Sequence, residues 1–498
     1  MTIDFTHMVQ YVLALLPETV LAGWAMLLLL IDVFQKGGRS EPSSPAIGWL
    51  ALVGVILAAV ANGFLLTLHE ASATHTIPLD AFRVFSNFIF LLAAALFILI
   101  ASRYLEQEGL RLGEVYVLVL LATVGMMAFA GTRDLMVMFI GLEMMSVPIY
   151  VLTGVNRRAW RSAEGALKYF LLGAFSSAFF LMGIALIYGA TGTTNLPLIA
   201  TATSNASALL MLGMGMLAVG FGFKTAAVPF HMWTPDAYEG APAPVTGFMA
   251  AGVKAAAFAA FLRVFLTAFP GLSNTWGLLV FWLAIITMVS ANLIALSEGN
   301  VKRMLAYSSI AHAGYLLVAL ASGTTMGAAS VLFYLVVYTL MTVGAFAVVQ
   351  LVGSRGEELL DIESYSGLAW QKPFVGIVMT IFLLSLAGFP FTGGFIGKVY
   401  ILRSAIEDGL FPLAIVLVMA SLISYWYYLR VAWYMWFREP AEGAAVREPA
   451  VLAGSMKAAL LIAAVLIVLL GVVPGALLDA AARSAAALSQ TVNAVGLR

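Results

Sequence analysis

Residues 218–233 read AVGFGFKTAAVPFHMW, and their reading decides the fold. Lys224 lies in an otherwise apolar, glycine-rich run, five residues before Pro229. Glycine and proline weaken a helix, and an ammonium group is costly in hydrocarbon. A segment that combines all three is either a poor soluble helix or a membrane span interrupted on purpose.

Composition separates the two. The 498 residues are 62% hydrophobic and 10% charged, with a mean hydropathy of +1.00, outside the range of soluble domains. Apolar runs long enough to cross a hydrocarbon core of roughly 30 Å recur along the whole chain. They are continuous, which excludes the alternating segments of a transmembrane barrel. The expected class is therefore an all-α polytopic membrane protein. A formal charge of zero argues against nucleic acid or a polyanionic substrate. With no cysteine, disulfides, Fe–S ligation and thiol chemistry are excluded, and the five histidines show no metal-ligand spacing.

Fourteen spans are expected, at about 10–32, 46–68, 82–101, 115–131, 135–154, 165–189, 207–230, 243–269, 276–296, 303–322, 328–352, 374–399, 411–435 and 457–479. The first has no basic flank before it and no small-residue cleavage site after it, so it reads as a retained helix. With the N-terminus outside, the cytoplasmic loops hold Lys36, Arg39, Arg103, Arg111, Arg157, Arg158, Arg161, Lys302, Arg303, Arg355, Lys372, Arg438, Arg447 and Lys457. The other side holds only Arg83, Arg133, Arg403, Arg483 and Arg498. Positive residues favour the inside, so both termini are expected outside.

The remaining basic residues, Lys168, Lys224, Lys254, Arg263, Lys398 and Arg430, fall inside spans, as does one central acid, Glu143. Each costs at least ~2.5–3.5 kcal/mol at the membrane centre, which makes them functional candidates by default. Glu143 and Lys254 are near mid-span; a fixed structural pair is the bland alternative for Glu143, while the Gly/Ala-rich neighbours of Lys254 leave room for close helices or water. Lys168 has Glu164 one turn before it and reads equally well as a snorkelling surface lysine. Arg263 and Arg430 are long enough to reach an interface, and a structural role outweighs a functional one there. His312 reads as a satisfied core histidine or as a member of a proton relay, and His231, after the proline, is a weaker candidate.

A second interrupted span, LSLAGFPFTGGFIGKVY at 384–400, again joins Gly, Pro and a lysine, Lys398. Broken helices at membrane depth are tolerated only where protein or a water-filled cavity satisfies the freed backbone. Two of them at corresponding places point to an ion or substrate path between internal repeats. They are the seventh and twelfth spans. Five spans is an odd number, so the second repeat re-enters the membrane inverted: spans 4–8 and 9–13. The expected divisions are 1–114 (spans 1–3), 115–270, 271–437, and 438–498 (a loop and span 14). On this pairing Lys224 corresponds to Lys398, and Glu143 roughly to His312.

FKTAAVPFHMWTPDAYEGAPAPVTGFMAAGVKAA (223–256), VKRMLAYSSIAHAGYLL (301–317) and LAGFPFTGGFIGKVYIL (386–402) resemble the antiporter-like membrane subunits of respiratory complex I, bacterial NADH:quinone oxidoreductase. Spans 4–13 carry the likeness. Lysine at 398 and the lack of a long C-terminal extension favour the subunit N group within that family. The resemblance implies a proton-translocating subunit of the membrane arm, in the bacterial inner membrane among other membrane-arm subunits. It implies Glu143 and Lys224 as a coupled acid–lysine pair, Lys254 as the central relay and Lys398 as the second-half lysine; Lys168 and His312 remain further candidates from the residues themselves. NAD, FMN, Fe–S clusters and quinone are then expected in partner subunits and none on this chain, which shows no Gly-rich nucleotide fingerprint and no haem or flavin signature.

Residue chemistry agrees. A free lysine (pKa ≈ 10.4) holds its proton too tightly for a relay at neutral pH; burial lowers that by up to 3–5 units and a nearby carboxylate raises it again. A lysine whose acid partner approaches or withdraws is a proton switch. The rivals are a subunit of a Mrp-type cation/proton antiporter or membrane-bound hydrogenase, and a membrane scaffold that does not pump. The aromatic run SYWYYLRVAWYMWF (424–437) reads as an interfacial belt.

Overall fold

The computed structural model describes residues 8–36, 43–68, 76–110, 113–203, 207–353, 358–439 and 452–494. Arg39, Arg111, Arg355, Arg447 and Arg498, used above to orient the chain, lie outside the described residues. The described chain is helical, with α1 (Met8–Ala14), α2 (Leu16–Lys36), α3 (Ala46–Phe64), α4 (Ala81–Gln107), α5 (Gly113–Ala130), α6 (Leu135–Thr153) and α7 (Trp160–Thr191) in the first third. The middle holds α8 (Leu196–Ala202), α9 (Ala208–Thr225), α10 (Thr234–Gly240), α11 (Ala243–Phe248), α12 (Lys254–Ala268), α13 (Ser273–Ser297) and α14 (Val301–Ala321). The last part holds α15 (Thr325–Val352), α16 (Leu368–Gln371), α17 (Pro373–Ala387), α18 (Gly393–Glu407), α19 (Phe411–Phe437), α20 (Gly454–Val472) and α21 (Gly475–Ala494).

Among the described residues, thirteen helical segments are long and apolar enough to cross a membrane. The broken α17–α18 is the remaining expected span, so the count of fourteen stands. One boundary is corrected. The last span does not run to 479: α20 ends at Val472, Pro474 follows, and α21 starts at Gly475. Proline cannot extend the ladder. The Ala-rich α21 instead lies against α15 and α4, burying Ala481, Ser484, Ala485 and Leu488.

Two short antiparallel bridges give the inverted repeat a residue-level register. Asp134 pairs with Asn195, and Asn300 with Asp361. Each member lies 166 residues after its counterpart (134 to 300, 195 to 361). The hydrogen bonds repeat with the same offset: Leu135 N donates to Thr194 O and Val301 N to Leu360 O, while Leu196 N donates to Arg133 O and Ile362 N to Gly299 O. Asp134 and Asn300 also cap the helices that follow them, α6 and α14. The same offset refines one correspondence. Glu143 falls opposite Ser309, and Ser146, one turn later, falls opposite His312.

Burial sorts the helices into centre and rim. α11–α12, α14 and α15 are almost wholly buried, whereas α2, α3, α7, α13, α19 and α20 turn large apolar side chains outward. Glycine lets α5 and α6 touch backbone to backbone. A Cβ on Gly125 would sit 2.2 Å from Met145 N, and one on Gly141 would sit 2.4 Å from Phe129 N. This close crossing fixes α6, which carries Glu143 and Ser146.

Arg263 does not reach an interface. It is buried, and its guanidinium forks onto Asp80, the N-cap of α4, at 2.8 and 2.9 Å. Burial raises the Asp80 carboxyl, but the charge and hydrogen bonds of Arg263, then Arg133 and the Arg83 N–H, outweigh it and hold the group at about 2 instead of 3.8. A carboxyl depressed on folding stabilises above its unfolded pKa. That contribution, about 2 kcal/mol, is lost as pH falls from about 4 towards 2. Asp80→Asn strands a buried guanidinium and is expected to cost about 3–5 kcal/mol, measurable as a lower thermal midpoint of the purified protein. Arg430 likewise ties α19 to the end of α13 through the carbonyls of Leu296 and Glu298.

Candidate functional site

Both expected breaks are present. α9 ends at Thr225, with Ala226 left-handed at φ 61°, and the chain turns through 226–233 before α10. α17 ends at Ala387, with Gly388 at φ 88°, and α18 starts after Thr392, whose hydroxyl caps it. The two lysines sit on opposite sides of their breaks. Lys224 is in the last turn of the half-helix before Pro229, and Lys398 is in the half-helix after Pro390. They match in being buried beside a break, and they do not match in sequence register.

Lys224 Nζ donates to Ser146 Oγ on α6 at 2.7 Å and to Tyr150 OH at 3.3 Å, with the Tyr150 and Tyr169 rings 5.4 and 5.8 Å away. It does not pair directly with Glu143. That half-buried carboxylate accepts from Ser177 Oγ at 2.6 Å, one turn of α6 away from the serine that holds the lysine. The expected pair is thus brought to within one turn of α6 of each other, Lys224 held by Ser146 and Glu143 by Ser177, without an ion contact.

Lys254 follows a π-helical turn, Met249–Val253, inside the span formed by α11 and α12. Such turns are frequent at functional sites. Its ammonium donates to both the carbonyl and the hydroxyl of Ser309 at 2.5 Å, and Tyr338 OH donates to the same Oγ at 2.8 Å. Lys398 Nζ donates to the carbonyls of Leu386 and Ala387, freed at the break of α17, at 3.0 and 2.8 Å, and lies 4.8 Å over the Tyr315 ring.

His312 stands between these two lysines. Nδ1 meets Tyr334 OH at 2.6 Å and Nε2 meets Tyr428 OH at 3.0 Å; Tyr428 also bonds Ser308. The Tyr315 ring, which Lys398 faces, is 5.2 Å from the His312 ring. Tyr427 OH reaches Asn292, which contacts Tyr315 OH. Tyr427 and Tyr428 are therefore core members, not part of an interfacial belt; Trp426, Trp433 and Phe437 of the same run do face outward.

Lys168 is elsewhere. It is 43% exposed, with Glu164 and Asp236 both at 2.7 Å. Asp236 continues through Arg303 to Glu239, forming a half-exposed charge network at one end of the bundle. His231 is half-buried in the turn between α9 and α10. Among the described residues, no group of three or more His, Cys, Asp or Glu could hold a metal ion.

The common feature of Lys224, Lys254 and Lys398 is that each ammonium is buried and held by hydroxyls or carbonyls, with no carboxylate partner among the described residues. The serines and tyrosines that hold them were not legible as site residues, because hydroxyls in apolar spans ordinarily bond their own helix backbone. The repeat offset is the signal that finds Ser146 and Ser309.

Residues 132–424 match the family described as NADH:quinone oxidoreductase/Mrp antiporter, transmembrane. The chain is 47% identical over 434 residues to NADH-quinone oxidoreductase subunit N of Trichlorobacter lovleyi, covering 86% of this chain and 88% of that one. It is similar to a chain of respiratory complex I from Thermus thermophilus with bound aureothin, at 36% identity and a TM-score of 0.77 over 93% of this chain and 98% of that one. A chain of the Mrp complex from a Dietzia species shares the fold, with a TM-score of 0.84 at 22% identity and coverage of 98% and 99%.

Proposed function

The chain belongs to the NADH:quinone oxidoreductase/Mrp antiporter family, in its subunit N group, and on that premise we propose that Glu143, Lys224, Lys254 and Lys398 relay protons across the membrane arm of the complex. The protein is a multi-pass membrane subunit of a translocase. Redox chemistry on NAD, FMN, Fe–S clusters and quinone is assigned to partner subunits, and both termini to the periplasmic side. The domain division proposed is 1–114, 115–270, 271–437 and 438–498, the repeats occupying the middle two.

The observation that carries this reading is three buried lysines without fixed counter-charges among the described residues, two of them beside broken spans. A permanently ion-paired lysine is a structural post. One held by neutral oxygens changes protonation when a charge nearby moves, because no partner is left as an uncompensated buried charge. Ser309 positions Lys254, and the His312–Tyr334–Tyr428 group lies between Lys254 and Lys398 as a set of groups able both to donate and to accept. Glu143 lies one turn of α6 from Ser146, the serine that holds Lys224, so a movement of either side chain changes the charge the lysine meets. Moving one charge against the membrane potential requires about 2.3 kcal/mol per 100 mV, and that drive comes from the redox subunits.

Acidification of inverted membrane vesicles during NADH oxidation tests this. Glu143→Gln and Lys224→Ala are each expected to lower the initial rate several-fold with the complex assembled. Undiminished acidification in both would remove these two residues from the path and favour the scaffold.

A further inference from the structure

Position at a span end makes Lys302 read as a loop residue, yet the structure buries it: its side chain is 1% exposed. Nζ donates to Glu358 Oε2 at 2.5 Å and to Ala241 O at 2.6 Å. The other carboxylate oxygen of Glu358 accepts from Tyr104 OH at 3.0 Å and from Ala243 N at 3.1 Å. Glu358 itself stays 20% exposed. The pair therefore joins water at the bundle end to a buried amine, at the joint where the second half of span 7 passes into span 8.

Inward of that joint the polar groups continue. Thr246 Oγ1 bonds the carbonyls of Tyr238 and Ala241, and further inward on α14 the Ser309 side chain holds Lys254. Ser309 is seven residues after Lys302 on α14, two turns along the same face, or about 10 Å. The neighbouring charges Lys168, Asp236, Arg303 and Glu239 pair with one another at the half-exposed end instead. The position 166 residues earlier than Lys302 is the exposed Met136, so the first repeat has no equivalent.

We propose that Glu358 and Lys302 are the proton-loading pair that connects bulk water to Lys254, an inference that rests on the relay reading above. Glu358 takes a proton from water at its exposed edge. The Lys302 ammonium passes a proton inward, through water and the Ser309 hydroxyl, to a deprotonated Lys254. The neutral Lys302 amine then takes the proton from Glu358, and the carboxylate is restored. One proton moves inward and no other bond changes.

Arginine separates this from a clamp, since a guanidinium keeps the ion pair but does not release its proton. Membrane vesicles carrying the assembled complex with Lys302→Arg, Glu358→Gln or Lys254→Ala are compared for NADH-driven acidification and for NADH oxidation by a soluble artificial acceptor. Lys302→Arg and Glu358→Gln are expected to keep the artificial-acceptor rate and to lose at least about fivefold in acidification. Wild-type acidification in either assembled variant would overturn the proposal, leaving a structural clamp. If Lys302→Arg fails to assemble, Glu358→Gln, which preserves the oxygen facing Lys302, decides alone. Normal acidification in Lys254→Ala would instead overturn the relay reading itself.

Discussion

Lys254→Ala is expected to leave the complex assembled and to reduce NADH-driven proton translocation by at least about tenfold, since a proton-transfer group ordinarily contributes about 10²–10⁴-fold. The loss is expected to be large because Lys254 is the only lysine of the three that lies on an unbroken span in the buried centre. Its ammonium meets Ser309 alone, through a carbonyl and a hydroxyl, and the Tyr338 ring lies 5.8 Å away. Alanine removes the carrier and leaves a gap lined by Ser309, Tyr338 and the π-helical turn. Assembly is expected to persist, because Ser309 Oγ keeps its bond from Tyr338 and no charge is left unpaired. Initial rates of acidification and of NADH oxidation, normalised to the complex content of the vesicles, check it. A parallel fall in both is the signature of a coupled relay.

The second large effect is expected at Gly394. A Cβ there would lie 1.9 Å from the carbonyl oxygen of Ser385 and 2.8 Å from its hydroxyl. Ser385 and Gly394 belong to the two half-helices of span 12, and Gly394 N donates to Ser385 Oγ at 3.2 Å. The overlap is with backbone, which no rotamer change relieves. Gly394→Val must push α17 and α18 apart, at a cost of about 3 kcal/mol. That separation also withdraws Lys398 from the carbonyls of Leu386 and Ala387. The expected result is less intact complex extracted from membranes, and lower acidification per complex in what assembles. Wild-type yield and wild-type acidification together would show that the break tolerates a wider gap than its geometry implies.

How much was legible in the sequence differs between fold and site. The spans were legible because about 20 apolar residues in a row have few other uses. The breaks were legible because Gly and Pro in hydrocarbon require a reason. α21 was missed: it has no apolar run of its own, and only the Pro474 stop separates it from α20. The lysines stood out by charge alone, but their partners did not. Ser146 and Ser309 differ in no visible way from Ser176 or Ser330, and only the reach of Lys224 from α9 to α6 and of Lys254 from α12 to α14 gives them lysines. The acid–lysine pair shows the same limit: Glu143 and Lys224 were read as residue types, while the separate serines that hold them and the absence of direct contact are properties of helix rotation. Lys302 was hidden by a convention, since a lysine at a span end ordinarily reads as solvated. Here Glu358, a residue outside the spans, folds back to cover it.

The central claim is that a buried lysine of this chain must release its proton for the complex to pump. Lys254→Arg tests it most directly, because arginine retains charge, length and hydrogen-bonding capacity but stays protonated. The quantity to measure is the number of protons translocated per NADH, together with the turnover rate, in reconstituted complex carrying that substitution. The account predicts that translocation and coupled turnover collapse together, by at least about tenfold. A wild-type proton ratio at a wild-type rate would contradict it, because a group that cannot deprotonate would then be doing all that Lys254 does.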